Sequence, residues 1–357
     1  MLRVDRYIMQ RFMAGVIPAM LLLLALFSFI ALAEQLEDVG QGGFTLADAL
    51  MVVFLTTPKR IVELLPVTAL LGGLLGLGAM ANHRELIAIR TIGISKQRIA
   101  QTVAVLALLL GVFITTLQFT VVPGFERDAA RLRGQTLQNT EIGMGSSKAI
   151  WTRNKDSYIR VKGIQSDRTL NEIEIYSTDG KGRLTGLIQA QSAYPAGQEN
   201  WQLTGVLESI FDGARVIETE REDMLWDSLL SARQASVLML PLEALAPNDL
   251  VKIISNLKRN NLDTHHYEIV FWQQVSLLPG LLAMALLSLP FLLGSVRSVS
   301  ASQRAMIGGL IGIGFYLLQQ LSGHMAGLLG LNPAVVILTP PFILLLIAVA
   351  AIRHRTL

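Results

Sequence analysis

Long apolar runs separated by short polar segments make up most of this chain, and they fall into two groups. A helix needs roughly 20 apolar residues to cross a hydrocarbon core of about 30 Å. Six runs meet that length: about 12–33, 60–81, 99–122, 268–294, 305–329 and 334–352. The pattern therefore predicts an α-helical membrane protein with six transmembrane helices in a 3+3 arrangement, three in residues 1–122 and three in residues 266–357.

The segment between the two groups, residues 123–265, has the pattern of a β domain. Short runs rich in Ile, Val, Tyr, Trp and Thr are separated by turn sequences such as "STDGKG" and "YPAGQEN". The runs are "AIWTRN", "SYIRVKGI", "NEIEIYST", "RLTGLIQAQSAY", "WQLTGVLESIF" and "ARVIETEREDMLW". Such spacing indicates a small antiparallel sandwich or jelly roll. The stretch at 244–263 then predicts a return helix that starts near Asn248 or Asp249.

The approach to the second apolar run holds a shorter apolar element. "LADALMVVFLT" at 46–56 is too short to span a bilayer, so we predict an interfacial or re-entrant helix there. Thr57 is a candidate cap for span two. Pro58 would then occupy the first helical position, where its missing N–H does no harm.

Two pairs of glycines lie four residues apart within apolar runs, a spacing that lets membrane helices approach closely. Gly72 and Gly76 lie in the second run, and we predict that they serve packing within the chain. Gly308 and Gly312 lie in the fifth run. For that second pair, internal packing and a subunit interface are equally consistent with the sequence.

The connection between the second and third runs, "ANHRELIAIRTIGISKQRIAQ" at 81–101, is too elaborate for a plain loop. Residues 82–92 favour a helix, and Gly93 supplies a stop because glycine adopts the left-handed conformation at low cost. Ser95 can then cap the third span. We therefore predict a short helix, at about 82–93, that a tight turn joins to span three.

The composition of this short helix leaves two interpretations open. Glu85 stands among arginines and among apolar residues on a segment outside the bilayer. These neighbours are Arg84, Leu86, Ile87, Ile89, Arg90 and Ile92. The helix either lies on lipid headgroups or docks in a groove of a partner protein, with its apolar residues as anchors. In the docking interpretation Glu85 supplies a charge-assisted hydrogen bond.

The composition supports a membrane protein with a sizeable water-exposed part. Of 357 residues, 52% are hydrophobic and 16% charged, whereas soluble domains carry about 25% charged residues. The net charge of +3 suggests no nucleic-acid partner, and the absence of cysteine excludes disulfides, thiolate metal sites and Cys nucleophiles.

The distribution of positive charge predicts the orientation. Eleven Lys and Arg residues lie in 1–11, 82–98, 295–304 and the C-terminal tail, including Arg297 and Arg355. The opposite short loops hold only Lys59 and Arg60. Since short cytoplasmic loops are enriched in Lys and Arg, both termini are expected in the cytoplasm and residues 123–265 on the outer side.

Motifs for enzymatic chemistry are absent. The sequence has no G-x-x-x-x-G-K-[ST] loop, so the chain is not expected to hydrolyse ATP in the P-loop manner, and it has no H-E-x-x-H or G-x-S-x-G. His265 and His266 are adjacent, and on a helix they point about 100° apart, which does not suit one metal ion. We predict neither an enzyme nor a bound metal.

Several stretches together resemble the LptF/LptG permeases, the transmembrane subunits of the lipopolysaccharide exporter in the inner membrane of Gram-negative bacteria. They are "DRYI" at 5–8, "TPKR" at 57–60, "RELIAIRTIGIS" at 84–95 and "LPFLLGSVRSVSASQRAMIGGLIGIGFYLLQQ" at 289–320. The β insert after span three fits as well, so the resemblance covers essentially the whole chain. "DRYI" and the region 312–333 are more similar to the LptG branch than to the LptF branch.

The resemblance implies partners and a substrate. It implies a heterodimer with LptF, two copies of the ATPase LptB, and association with LptC. Lipopolysaccharide would enter a cavity between the two permeases from the outer leaflet and pass to a periplasmic jelly-roll bridge, with LptA as a further partner. The chain itself would bind no cofactor, ATP being used by the ATPase, while divalent cations could accompany the substrate.

The resemblance also implies two sets of site residues. Glu85 matches the acid of a coupling helix that docks in LptB, within a set made up of Arg84, Glu85, Leu86, Ile89, Arg90 and Gly93. Lys59 matches a basic cavity position for lipid A phosphate, and Arg133 fits the same role. Arg60, Arg127 and Arg131 complete this basic set, for which headgroup binding or a solvated surface is the plain alternative.

One departure from the family pattern bears on the substrate site. Some relatives carry lysines at and after the outer end of span one, where this chain has Ala31, Glu37 and Asp38. Either divalent cations bridge these acids to lipid A, or the phosphate contacts lie on the basic set. A different ABC-type permease, for envelope lipids or lipoproteins, and a non-transporting membrane scaffold are the alternative functions.

Overall fold

The computed structural model describes residues 3–137, 150–154, 157–164, 169–179, 183–196, 200–212, 215–227, 242, 245–259, 263–293 and 301–354. Within this part, six helices are long and apolar enough to cross a membrane, which confirms the prediction. Spans one to six are Arg3–Leu36, Thr57–Asn82, Lys96–Thr120, His265–Leu293, Ala301–Leu329 and Pro333–His354. Arg297 and Arg355, used for the orientation, lie outside the described residues.

Span two is the centre of the bundle, and its glycines explain why. A Cβ on Gly76 would lie 2.1 Å from the carbonyl oxygen of Arg11, and one on Gly72 would lie 2.6 Å from Val16 Cα. Only glycine therefore lets spans one and two approach this closely, and the predicted packing role of this pair is confirmed. The same region, Gly73–Leu77, winds as a single π-helical turn.

The second glycine pair serves the same internal packing. A Cβ on Gly308 would lie 2.5 Å from Leu74 Cδ1, and one on Gly312 would lie 2.5 Å from Val67 Cγ1. Both contacts join span five to span two of the same chain. These contacts support internal packing for this pair, and the subunit interface, the other interpretation, stays a prediction.

The predicted short helix before span two is present at Leu46–Leu55 and starts with a capping box. Thr45 Oγ1 accepts from Asp48 N at 3.3 Å, and Thr45 N donates to Asp48 Oδ2 at 2.9 Å. Thr57 is not a cap. It is the first residue of span two, and its hydroxyl donates to the Val53 carbonyl at 2.9 Å, which joins the short helix to the span.

The insert begins with a helix, Val122–Leu137, and continues into a sheet. The strands are β1 Ile150–Asn154, β2 Ser157–Ile164, β3 Leu170–Thr178, β4 Leu184–Pro195, β5 Asn200–Asp212 and β6 Arg215–Asp227. Each strand pairs antiparallel with its neighbours in chain order. This confirms the all-β insertion. The described strands form a meander, whereas a jelly roll also contains Greek-key connections.

The sheet has its own core, centred on Ile173, Ile175, Leu203 and Val206, all 2% exposed or less. The return helix follows at Pro247–Arg259, with Asn248 and Asp249 in its first turn as predicted. Below, "insert end" denotes the end of the bundle that carries the β insert. "Loop end" denotes the opposite end, where residues 83–95 connect spans two and three.

Candidate functional site

The predicted short helix stands at the loop end and runs from Glu85 to Thr91. It begins at Glu85 rather than residue 82, because span two continues to Asn82 and a turn follows, in which Arg84 is left-handed with φ 60°. At its other end Gly93 has φ 95°. Ser95 Oγ accepts from Arg98 N at 3.2 Å. The predicted stop and cap are confirmed, and the helix is bounded by a left-handed residue on each side.

The two faces of this Glu85 helix differ. Leu86 is 6% exposed and Ile89 8%, and both pack into the core of the bundle. Ile87 is 43% exposed and Ile92 77%. The interpretation of all four as anchors for a partner was therefore wrong for Leu86 and Ile89, which hold the helix to its own chain. Sequence alone does not separate the faces because the helix has only seven residues.

The outer side of the Glu85 helix combines exposed charge with a cleft. Arg84 and Arg90 are exposed. They line a cleft of about 380 Å³ together with Ile87, Asn82 and Leu292. Because Leu292 comes from span four, the cleft joins the exposed face of the helix to the bundle. A partner that covered Ile87 and Ile92 would also meet these two arginines.

Glu85 is tied to span one. Tyr7 Oη donates to Glu85 Oε2 at 2.8 Å, and Arg11 Nη2 lies 3.9 Å from Glu85 Oε1. Arg11 Nε donates to Tyr7 Oη at 2.9 Å. The Glu85 side chain remains 31% exposed, so one part is held and another part faces out. The sequence reasoning missed Tyr7 and Arg11, although their spacing of four places them on one helix face.

A second polar contact joins span one to span three. Arg98 Nη2 donates to Asp5 Oδ2 at 2.8 Å, and Thr102 Oγ1 donates to Asp5 Oδ1 at 2.9 Å. The Asp5 side chain is only 7% exposed. A buried carboxylate requires such partners. Asp5 thus joins the start of span one to span three, and Tyr7 joins it to the Glu85 helix.

Arg304 joins span five to the last two turns of span two at the loop end. Arg304 is 4% exposed, its Nη1 donates to the Gly78 carbonyl at 2.9 Å, and its Nη2 donates to Asn82 Oδ1. A Cβ on Gly78 would lie 2.7 Å from Nη1, so the glycine makes room for the guanidinium. The sequence reasoning treated Arg304 only as a loop charge. In the structure Arg304 lies inside span five, which begins at Ala301 rather than at the predicted residue 305, and a buried arginine within a membrane helix marks a functional site.

At the insert end, the structure brings most of the predicted basic set to acids of the same chain. Arg133 Nη2 lies 2.7 Å from Asp38 Oδ2. Arg127 pairs with Asp249 of the return helix at 3.1 Å, and the exposed Arg131 lies 3.9 Å from Asp128. The three arginines are therefore partly neutralised. Asp38, the departure from the family pattern, has a defined position as the partner of Arg133.

Lys59 and Arg60, the two basic residues at the start of span two, have different contacts from Arg127, Arg131 and Arg133. Arg60 Nη1 donates to the Val53 carbonyl at 3.1 Å, which directs this guanidinium back to the short helix. Lys59 has no ion-pair partner among the residues that the structure describes. It lies at the mouth of a cavity of about 380 Å³ between spans two, three, four and five. Lys59 is therefore the cation of this set that is most available to an anionic ligand.

Within the described part of the chain, no cluster of three or more His, Asp or Glu side chains could hold a metal ion. His265 of the adjacent histidine pair has another contact, since its Nε2 lies 2.7 Å from the Ala326 carbonyl oxygen. This contact joins the start of span four to span five. The loop end thus carries a partly exposed helix, and the insert end carries Lys59, a cation without an ion-pair partner among the described residues, beside a cavity.

This chain is similar to known proteins over almost its whole length. A family model described as "Lipopolysaccharide export system permease LptF/LptG" matches residues 6–354. "Lipopolysaccharide export system permease protein LptG" of Haemophilus influenzae is 29% identical over 332 residues, which cover 93% of this chain and 92% of that protein. The protein of the same description from Escherichia coli K12 is 26% identical over 354 residues, with 99% and 98% covered. Since the family model covers both helical groups and the insert, this chain belongs to the lipopolysaccharide export system permease LptF/LptG family.

Proposed function

We propose that this permease is the LptG-type subunit of an ABC exporter, which extracts lipopolysaccharide from the outer leaflet of the inner membrane and passes it to a periplasmic bridge. The single observation that carries the proposal is the Glu85 helix. It is braced by its own chain on one face and presents Ile87, Ile92 and part of Glu85 on the other. Apolar and charged side chains exposed on a helix that is packed against its own chain are typical of a docking site for another protein.

The proposed partners follow from the two ends of the bundle. The ATPase LptB docks on the Glu85 helix in the cytoplasm, where the charge pattern also puts both termini. LptF forms the other half of the permease, and LptC joins the complex. The β insert faces the periplasm, where the bridge toward LptA begins. ATP is used by LptB, and this chain binds no cofactor of its own.

The proposed mechanism has three links. ATP-driven closure of the LptB dimer moves the Glu85 helix. The contacts of Tyr7, Asp5 and Arg304 pass that motion to spans one, three and five together with span two. The lipid cavity then narrows at the insert end. Burial of each CH₂ stabilises a bound acyl chain by about 0.8 kcal/mol, so the expulsion of several chains needs coupling to ATP.

Lys59 is the proposed first contact for lipid A phosphate at the insert end. The alternative partners Arg127, Arg131 and Arg133 each have an acid beside them. A phosphate would have to displace Asp38 to reach Arg133, or reach both through a divalent cation. Lys59 requires no such exchange.

The docking role is tested by replacing Glu85 with Ala in the full complex. Purification of LptB with the complex and release of lipopolysaccharide are then measured, with Glu220→Ala on β6 as a control acid that is exposed and distant. We expect both quantities to fall for the Glu85 variant and neither for the control. Normal values for Glu85→Ala would remove the docking role.

The orientation is tested separately with reporter fusions at positions 40, 90, 200, 300 and 357. The proposal expects positions 90, 300 and 357 in the cytoplasm, and 40 and 200 in the periplasm. Lipoprotein-releasing permeases usually place their large domain after the first of four spans. Such a topology would give a different pattern and would favour that alternative.

A further inference from the structure

The cavity behind Lys59 has a polar lining that reaches deep into the bundle. Seven of its lining residues carry amide or hydroxyl groups on spans three to five, and these are Gln118, Gln273, Gln274, Ser276, Tyr316, Gln319 and Gln320. Ser276 lies 11 positions after the start of span four, and Gln319 lies 10 positions before the end of span five. At 1.5 Å per residue both are about 15 Å from the insert end. Polar side chains at that depth are costly and mark functional sites.

The hydrogen bonds of this polar cluster are incomplete. Ser276 is 1% exposed, its hydroxyl donates to the Gln273 carbonyl at 2.7 Å, and it accepts from Gln319 Nε2 at 2.7 Å. The side-chain oxygens of Gln274 and Gln319 are buried and have no hydrogen-bond partner among the residues that the structure describes. A buried acceptor without a donor is destabilising. The cluster is therefore prepared for a ligand that donates hydrogen bonds.

The charges at the cavity indicate which part of a ligand fits where. Lys59 and Glu63 stand at its mouth, whereas the deeper lining is neutral and includes the apolar Val67 and Leu277. A phosphate would stay near Lys59, because nothing in the described deep lining offsets a negative charge. Neutral groups that donate, such as sugar hydroxyls or amide N–H groups, match the free oxygens of Gln274 and Gln319.

We propose that this glutamine pocket binds the hydroxyl- and amide-bearing headgroup region of the exported glycolipid, while its phosphate contacts Lys59. The inference rests on the proposed function and adds a second, uncharged recognition site to it. A volume of about 380 Å³ is at the small end of ligand sites, which span roughly 300–1,000 Å³. The pocket therefore accepts one sugar unit or acyl linkage and not a whole lipid.

The test uses the complete exporter in nanodiscs and two probes. Lipopolysaccharide carries phosphate, hydroxyl and amide groups, whereas dipalmitoyl phosphatidic acid carries phosphate and acyl chains without headgroup hydroxyls or amides. The variant is Gln274→Met with Gln319→Met, which removes the acceptors at nearly constant side-chain length. The control is Gln101→Met, a glutamine on the exposed side of span three.

We expect the double variant to bind lipopolysaccharide about tenfold more weakly, as the loss of one or two hydrogen bonds implies, and to bind phosphatidic acid unchanged. Lys59→Gln should weaken both probes. Unchanged lipopolysaccharide binding in the double variant would overturn the inference. The glutamine oxygens would then be assigned to water rather than to the lipid. Equal weakening of both probes would also overturn the inference. If the wild-type complex bound no lipopolysaccharide at all, the proposed function itself would fail.

A second measurement is independent of the stability of the double variant. A photoreactive benzoylphenylalanine replaces Tyr316, which lines the cavity, or Leu346, which is exposed on span six. We expect lipopolysaccharide to crosslink at position 316 and not at 346. The absence of a crosslink at 316, in a complex that still releases lipopolysaccharide, would overturn the inference.

Discussion

At the loop end of the bundle, two buried charged side chains join different spans, whereas at the insert end the three arginines of the basic set that pair with an acid are each at least one-third exposed. Asp5 and Arg304 each join two spans from within the protein. Arg131 and Asp128 lie on one helix and are both largely exposed. Exposed ion pairs stabilise proteins by about 0–1 kcal/mol, whereas the removal of a buried partner costs several times more.

This difference indicates what each end is built to do. In the proposed function the loop end transmits motion, because its contacts are internal and shared by four spans. The insert end can exchange partners, because water or a ligand can replace an exposed acid at little cost. We therefore expect substitutions of buried loop-end residues to alter stability and coupling together, and insert-end substitutions to alter lipid binding alone.

The largest expected effect is at Leu86, on the buried face of the Glu85 helix. Leu86→Ala should lower the free energy of unfolding by about 2–5 kcal/mol, because it leaves a cavity in the core. Its counterpart Ile92→Ala should change stability by less than about 0.5 kcal/mol and still weaken LptB binding. Thermal unfolding in detergent and co-purification of LptB measure the two effects. Equal destabilisation by both changes would contradict the claim that Leu86 is buried against the bundle while Ile92 is exposed.

Arg304 provides the next test of the loop end. Arg304→Met should destabilise the bundle by about 3 kcal/mol, since two hydrogen bonds from a charged donor are lost. In complexes that still assemble, LptB should hydrolyse ATP while lipopolysaccharide release falls. Arg90→Met is the matched control, an exposed arginine on the Glu85 helix, and should leave stability unchanged. Proportional loss of ATP hydrolysis and release would reduce Arg304 to a structural role.

Tyr7→Phe tests the role of the loop end with a smaller expected loss of stability. Tyr7→Phe removes the hydrogen bond that positions Glu85 and should weaken LptB binding about fivefold, because a preorganised side chain loses less freedom on docking. Tyr7→Phe should have little further effect in a Glu85→Ala background, which has no side-chain acceptor at position 85. A double-mutant cycle of LptB affinity measures this coupling. Additive effects would mean that Tyr7 does not act through Glu85.

The smallest effect is expected at the insert end, where Asp38 pairs with Arg133. Asp38→Asn should leave stability within about 1 kcal/mol of the wild type and should increase lipopolysaccharide crosslinking about two- to threefold by releasing Arg133. If Asp38→Asn instead decreased crosslinking, and if chelation of divalent cations removed the difference from the wild type, the result would support cation bridging through the acids. This measurement therefore separates the two explanations of the acidic residues after span one.

Much of the architecture follows from the sequence. The six spans, the six strands, the Gly93 stop and the Ser95 cap depend on local patterns of apolarity, turn residues and backbone freedom. Those patterns act over a few residues and are legible in the chain itself. The match of residues 6–354 to the permease family extends over the same pattern.

Contacts between distant segments were decided only by the tertiary structure. Tyr7 and Glu85 are 78 positions apart, and Arg304 and Gly78 are 226 apart, so no local pattern pairs them. The same reason explains one error, at Leu86 and Ile89, and one alternative that the sequence left open, at Gly308. Leu86 and Ile89 are apolar whether they face a partner or the core, and Gly308 suits a subunit interface as well as span two. The sequence determined which segments are helices and strands and which residues can approach closely, while the packing of span two against its neighbours decided which residues meet.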